Sequence, residues 1–281
     1  MNALIIARFS LHEAVRRRFV LIGAVMSALF LLVFGAGFAF IFEQAVASRG
    51  RPPSAQDAAG AAALTLMGLY GVSILSGLLG VFTSASAISG ELESGTLHAI
   101  IARPIRRSDY ILGRWLASLV VIGVYVAGMT TVLLGIAYVI AGYVAPEPMA
   151  AMALMILSAA VLATLALSLS AVLSPMAAGV VVLSLFGLSW IAGIIEFIGS
   201  VLQRPAMVNI GIGVSLLVPS DAVWRGASYY VQSPAANALM ANGQMPFVST
   251  SPPTSMLVGW TLLHVLITLS IGMRAFAKRD L

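Results

Sequence analysis

Six long apolar runs constrain the fold of this chain more than any other feature. They cover residues 19–42, 61–89, 110–144, 149–173, 176–201 and 256–273. A helix needs roughly 20 predominantly apolar residues to cross a bilayer, and these runs have about that length or more. Only 9% of the 281 residues are charged, which is too few to cover the surface of a soluble domain of this size. The runs therefore predict an all-α membrane protein with six transmembrane helices.

The basic residues are divided unequally between the two sides of these spans. Six spans place both termini on the same side, where eleven of the 15 Lys and Arg residues fall, against four on the other side. An excess of Lys and Arg marks the cytoplasmic side, so both termini are expected in the cytoplasm. The net charge of +5 suits the anionic inner leaflet, so lipids are expected partners and a nucleic acid is not required.

The segment before the first span differs from the spans. Leu4, Ala7 and Leu11 share one face of a helix, and most of the charged residues lie elsewhere on it. This pattern predicts a cytoplasmic interfacial helix over residues 1–18, followed by a six-span domain over residues 19–281. A simple extension of the first span is the alternative.

Charge is concentrated in the stretch ISGELESGTLHAIIARPIRRSDYILG, residues 88–113. Its centre, residues 90–109, is the one substantial cytoplasmic loop, and we call it the charged loop. We expect a short helix over residues 96–101, a turn at Pro104 and a helix N-cap at Ser108. Leu97, Ile100 and Ile101 give it an apolar ridge, which is typical of a docking element for a soluble partner. The alternative is a solvated loop whose arginines only fix the topology.

This stretch resembles the signature region of ABC type-2 transporter permeases. The matching residues are Glu91, Glu93, Gly95, Thr96, Leu97, Arg103, Pro104, Ile105, Arg107, Tyr110, Leu112 and Gly113. Arg114 stands where lysine is commoner, which keeps the charge. Within that family, the chain is similar to the permeases of nitrous-oxide-reductase maturation exporters. The match covers about 30 residues, and the rest of the chain agrees in layout.

The resemblance implies a type V ABC exporter-like fold, in which transport and ATP hydrolysis are carried by separate chains. Such permeases lie in the bacterial or archaeal plasma (inner) membrane, pair as dimers and bind two cytoplasmic ABC ATPase subunits. The charged loop would then be the coupling helix. The residues expected to contact the ATPase are Glu91, Glu93, Gly95, Thr96, Leu97, Ile100, Arg103, Pro104 and Arg107, with a second contact at Ser174 and Pro175.

The chain itself has no phosphate-binding loop. Such a loop needs a lysine that reaches the phosphates, and the one lysine, Lys278, lies near the C-terminus outside any glycine-rich motif. ATP and magnesium are therefore expected in the partner ATPase, and no cofactor in this chain. The chain has no cysteine, and His12, His98 and His264 are scattered, so neither a catalytic residue nor a metal site is predicted.

Two further features lie in the last third of the chain. Residues 201–255 are too long for a simple connection, and we expect an external, partly re-entrant helical hairpin, with a helix capped by Ser220. A loosely packed external loop is the alternative. His264 lies near the middle of the sixth span and is a possible intramembrane polar site. A neutral histidine bonded to a neighbouring helix is the favoured alternative.

The second span contains several glycines, at Gly68, Gly71, Gly77 and Gly80. They favour close helix packing over a pore lining. Two function classes other than an ATP-coupled permease stay open from the sequence. One is a membrane channel or scaffold, and the other is an intramembrane enzyme, although no complete serine-hydrolase or zinc-protease motif is present.

Overall fold

The computed structural model describes residues 2–16, 18–47, 55–90, 106–232 and 247–278. These ranges contain nine helices and no strand. The helices are α1 (Asn2–Arg16), α2 (Arg18–Ala47), α3 (Ala55–Ala85), α4 (Arg107–Ala141), α5 (Pro148–Ser170), α6 (Pro175–Val201), α7 (Pro205–Leu217), α8 (Ser220–Tyr229) and α9 (Ser255–Ala277). Six of them, α2 to α6 and α9, are long and apolar enough to cross a membrane. The expected all-α membrane fold with six spans is confirmed.

One end of the bundle, which we call the terminal face, contains four parts of the chain. These are the end of α3, the start of α4, the turn between α5 and α6 and the end of α9. The start of α4 differs from the prediction made for Ser108. The N-cap is Arg106, and Ser108 lies inside the first turn with Asp109. At its other end, α4 stops at Gly142, whose φ of 65° is left-handed and whose N–H donates to the carbonyl of Tyr138 at 2.8 Å.

Helix α5 lies at the centre of the bundle and contacts α3, α4, α6, α8 and α9. Its buried positions are mostly small residues, including Ala151, Ala159, Ala160, Ala163 and Ala166. Small side chains let neighbouring backbones approach closely, which is how helices associate inside a membrane. The apolar run alone did not single out α5 as the central helix.

The glycines of α3 lie where this helix packs closely on α2, α4 and α5. A Cβ at Gly68 or Gly71 would overlap the rings of Phe34 or Phe30 on α2. A Cβ at Gly77 would meet Leu162 of α5 at 2.9 Å. The expectation that these residues favour close helix packing is confirmed.

Helix α1 packs along α4 and touches α2. Ser10 is buried, whereas Leu4 and Phe9 are 69% and 74% exposed. The exposed apolar side chains leave a surface that lipid can cover, as expected for an interfacial helix.

Helices α7 and α8 form the hairpin that residues 201–255 were expected to contain. They meet at an angle of 103°. The N-cap of α8 is Pro219, so the prediction that Ser220 caps this helix is wrong, and Ser220 is its first residue. Trp224 is 3% exposed, which shows that α8 is packed into the bundle and is not part of a loose loop. The hairpin lies in the half of the bundle away from the terminal face, and its break lies beside His264 near the middle of α9.

Candidate functional site

Most of the charged loop lies outside the described residues. This holds for Glu91, Glu93, Gly95, Thr96, Leu97, Ile100, Arg103 and Pro104, and the helix expected over residues 96–101 lies there too. The structure describes both flanks of the loop, which end at Gly90 and begin again at Arg106.

Arg107 joins the exit of the charged loop to the last helix. Its Nη1 donates to the backbone carbonyls of Phe276 at 3.3 Å and Ala277 at 3.0 Å. These carbonyls lie at the C-terminus of α9, where a cation is favoured by the helix dipole. The ring of Tyr110 stacks on Phe276 with 5.8 Å between centroids. The start of α4 and the end of α9 are therefore held together.

Arg114 has a different environment from the one assumed in the charge count. It was counted with the basic residues of the cytoplasmic surface, yet it is only 7% exposed. Its guanidinium lies 5.7 Å from the centre of the Tyr110 ring. Arg114 also lines a small gap with Ser10 of α1 and Thr83 of α3, so it belongs to the packing of these helices.

The expected second contact is an exposed turn between α5 and α6. Ser174 is the N-cap of α6, and its Oγ accepts a hydrogen bond from the N–H of Ala177 at 3.4 Å, with Pro175 following. Val172 and Met176 flank the turn and are 62% and 81% exposed. The turn therefore presents apolar side chains at the terminal face, beside the flanks of the charged loop.

His264 binds the break between α7 and α8. Its Nε2 lies 3.0 Å from the carbonyl oxygen of Leu217, the last residue of α7. One turn earlier on α9, Trp260 donates its Nε1–H to the carbonyl of Leu216 at 3.0 Å. The geometry matches the favoured alternative for His264, a histidine bonded to a neighbouring element of the chain.

Two serines complete the contacts at this break. Ser189 of α6 donates to the carbonyl of Val218 at 2.7 Å, and Ser158 of α5 donates to the carbonyl of Ser220 at 2.8 Å. The C-terminal end of a helix inside a membrane leaves carbonyls that water cannot satisfy, which applies to Val218 at the end of α7, and the bond from Ser158 adds a contact to the first residue of α8. Three spanning helices thus hold the bend of the hairpin.

A cluster of three charged groups, which we call the ionic cluster, fixes α8 against α6. Nη2 of Arg225 lies 2.7 Å from Oε2 of Glu196, and Nε of Arg225 lies 3.1 Å from Oδ2 of Asp221. Asp221 is 4% exposed and packs against Gly193, where a Cβ would lie 2.4 Å from its Oδ2. A larger residue at position 193 would therefore displace the Asp221 carboxylate from its place in the ionic cluster.

The end of α8 is tied to the connection between α4 and α5. The Tyr143 hydroxyl donates to the carbonyl of Val231, and the N–H of Glu147 donates to the carbonyl of Tyr230 at 3.0 Å. Burial raises the pKa of Tyr143 to about 12, so its hydroxyl keeps the proton that it donates.

The sequence analysis missed Ser158, Ser189 and Trp260, and it did not join Glu196 to Arg225. The spacing of Asp221 and Arg225, four residues apart on a helix, was a usable signal for an ion pair. The partners on other helices gave no signal, because a single serine or glutamate in an apolar run does not reveal which helix faces it. In the described ranges, no group of three or more His, Asp and Glu residues could hold a metal ion.

A family model described as "ABC-2 family transporter protein" matches residues 4–281. The match therefore includes all six spanning helices, the charged loop and the hairpin. No curated protein matches the sequence.

Proposed function

Because the chain belongs to the ABC-2 family of transporter proteins, it is a membrane subunit of an ABC transporter, and we propose that it is an exporter permease. The observation that carries the proposal is the family match, which covers almost the whole chain. A transporter subunit accounts for six apolar spans with little charge, and family membership decides against the intramembrane enzyme. It also favours an ATP-coupled permease over a passive channel or scaffold.

Energy would come from a separate cytoplasmic ATPase, which binds ATP and magnesium. The charged loop would contact that ATPase through Leu97 and Ile100, with Ser174 and Pro175 as a second contact. The exposed Val172 and Met176 support the second contact, because apolar side chains at the end of a span suit a protein partner. The bond between Arg107 and the end of α9 supports transmission of movement from the loop into the bundle.

We expect two permease copies in the complex. In a single chain α2 has little buried surface, and its exposed apolar residues can face lipid or a second copy. A mass measurement of the purified complex in nanodiscs tests this directly. One permease per complex would refute the dimer. The likeness to nitrous-oxide-reductase maturation exporters stays a prediction from the signature region.

The proposed orientation places the terminal face in the cytoplasm of a bacterium or archaeon, at the plasma membrane. Because the chain has no cysteine, single cysteines report sidedness cleanly. Ser54→Cys and Ser233→Cys should react with an impermeant thiol reagent added to intact cells, whereas Ser94→Cys should not. Labelling of Ser94→Cys in sealed cells would reverse the orientation.

Two substitutions in the charged loop test the coupling. Leu97→Asp should prevent co-purification of the ATPase, because burial of an apolar side chain contributes roughly 1.5–3 kcal/mol and an unpaired carboxylate would replace it. Glu91→Gln should leave the complex assembled but weaken transport, since an exposed ion pair contributes only about 0–1 kcal/mol to binding. The measurements are a pull-down, ATP hydrolysis and transport on each variant.

Val144→Asp is the matched control. Val144 is 68% exposed and lies at the end of the bundle opposite to the terminal face, so a carboxylate there should not affect ATPase binding. If Leu97→Asp and Glu91→Gln both bind the ATPase and transport like the parent protein, the loop is only a charged connection and the coupling proposal is wrong.

A further inference from the structure

A cavity of about 450 Å³ lies between the hairpin, α6, the segment over residues 248–254 and the start of α9. Its apolar lining includes Ile212, Leu216, Val248, Pro252, Pro253 and Leu257. Its polar lining is Glu196, Ser215 and Arg225 on the helices, with Ser249, Ser251 and Thr254 on the segment before α9. A cavity of this size, with apolar side chains and several polar groups in its lining, is typical of a site for a small organic ligand.

The ionic cluster adjoins this cavity, with Glu196 and Arg225 in the lining and Asp221 behind them. The ionic cluster has two carboxylates, Glu196 and Asp221, and one guanidinium, Arg225, so it carries one excess negative charge when all three groups are ionised. Glu196 and Arg225 are the charged residues among the described residues that line the cavity. Asp221 is buried behind Arg225, whereas the Glu196 side chain keeps 25% of its surface exposed. The carboxylate that a ligand can reach is therefore Glu196.

The last turn of α7 also favours a cation in the cavity. Ser215 and Leu216 line the cavity and belong to the final turn of that helix. The C-terminal end of a helix carries partial negative charge and favours a nearby cation. The helix end and the ionic cluster thus both favour a positively charged ligand.

Ser215 supplies an independent indication of a ligand. It is 7% exposed, lines the cavity, and its Oγ has no hydrogen-bond partner among the described residues. A helical hydroxyl commonly bonds to a carbonyl of the preceding turn, as Ser184 does to Val180 at 2.9 Å, and among the described residues of the hairpin only Ser215 and Ser220 lack a partner for their Oγ. Buried hydroxyl groups are normally hydrogen-bonded, so a partner is expected in the cavity itself.

We propose that this cavity binds an amphipathic organic cation. Its ammonium group lies at Glu196 and Ser215, where the carboxylate balances the charge and the hydroxyl accepts a hydrogen bond. Its apolar body packs against Ile212, Leu216 and Leu257. A bare metal ion fits less well, because one reachable carboxylate and one hydroxyl do not complete a coordination shell. The binding site does not depend on the direction of transport or on the ATPase.

Three probes of the same shape and different charge test the proposal. Tryptamine is a cation at neutral pH, tryptophol is neutral, and indole-3-acetate is an anion. Their binding to the full chain in nanodiscs of zwitterionic lipid is measured by equilibrium dialysis. Tryptamine should bind saturably and about tenfold more tightly than tryptophol, as one charge-assisted hydrogen bond provides, and indole-3-acetate should not bind above empty nanodiscs.

Two variants locate the binding. Ser215→Ala removes the unpartnered hydroxyl and should weaken tryptamine binding about fivefold, since one hydrogen bond of the ammonium group is lost while Glu196 remains. It should leave thermal stability unchanged or raised. Ile212→Trp fills the cavity and should abolish saturable binding. Ser184→Ala, on the exposed side of α6, is the matched control and should bind like the parent protein.

Equal affinity for tryptamine and tryptophol would overturn the proposal, because binding would then be apolar partition alone. Tryptamine binding that is unchanged in both Ser215→Ala and Ile212→Trp would also overturn it, since the probe would bind elsewhere. Glu196→Gln is not a suitable test, because it disrupts the pair with Arg225 and the anchoring of α8.

Discussion

Helices α2 and α5 are equally apolar by hydropathy, yet only 11% of the spanning window of α2 is buried, against 67% for α5. The difference follows side-chain size. Helix α5 presents alanines and serines to its neighbours, whereas α2 contacts α3 through a row of rings, Phe30, Phe34, Phe38 and Phe42. Apolar character places a helix in the membrane, and small side chains decide which helix the others can approach closely.

The contact of α5 with α9 should give the largest effect. A Cβ at Gly272 would lie 2.8 Å from the Cα of Ser168 in α5, and backbone cannot move aside as a side chain can. Gly272→Ala should therefore destabilise the protein by about 1–3 kcal/mol, as overpacking does. The measurement is the unfolding midpoint in detergent.

Gly259→Ala on the same helix is the control, because no atom lies within 4 Å of the position of its Cβ. It should be neutral or slightly stabilising, since alanine favours helix more than glycine does. Equal losses of stability in Gly272→Ala and Gly259→Ala would show that α9 does not pack closely on α5.

The contact of α2 with α3 should give a smaller effect. A Cβ at Gly71 would lie 2.6 Å from the tip of the Phe30 ring, which can rotate away. Gly71→Ala should cost up to about 1 kcal/mol, the low end of the range for overpacking. Gly37→Ala on α2, with nothing within 4 Å of its Cβ, is the control in the same unfolding assay. If Gly71→Ala destabilises the protein more than Gly272→Ala does, the contrast between α2 and α5 is contradicted.

The hairpin shows a second way to hold a helix, through polar side chains. His264→Leu removes the bond to the carbonyl of Leu217 and should cost about 0.6 kcal/mol, the average for such bonds between membrane helices. His264→Gln should retain most of the stability and keep transport, because an amide can make the same bond. Loss of transport by a folded, assembled His264→Gln complex would assign His264 a role in transport beyond anchoring.

The exposed side of α2 should give the smallest effect. Leu32 is 71% exposed, so Leu32→Ala should change the free energy of unfolding by less than about 0.5 kcal/mol in the isolated chain. The same variant is then measured in the assembled complex. A decrease of more than about 1 kcal/mol in the free energy of unfolding there would indicate that a second copy covers this side of α2.

The six spans and the hairpin were predictable because each depends on local composition and length. The site was only partly predictable. His264 was noted as a polar residue within a span and Arg107 as an expected ATPase contact. Their partners in the structure, Leu217 and the carbonyls at the end of α9, are 47 and about 170 residues away in the chain. Ser108 and Ser220 were misassigned as helix caps, because a serine near a helix start suits several positions and the flanking backbone decides which one it takes.

The sequence by itself determined that this chain crosses a membrane six times, since transfer of apolar residues from water into lipid is a property of each segment alone. Only the tertiary structure decided that α5 is central and α2 peripheral, that Arg107 binds α9, and that the ionic cluster closes α8 against α6. Those features depend on which surfaces meet. Inside a membrane that choice follows from close packing and paired polar groups, because lipid is as apolar as the helices and apolar character no longer distinguishes one neighbour from another.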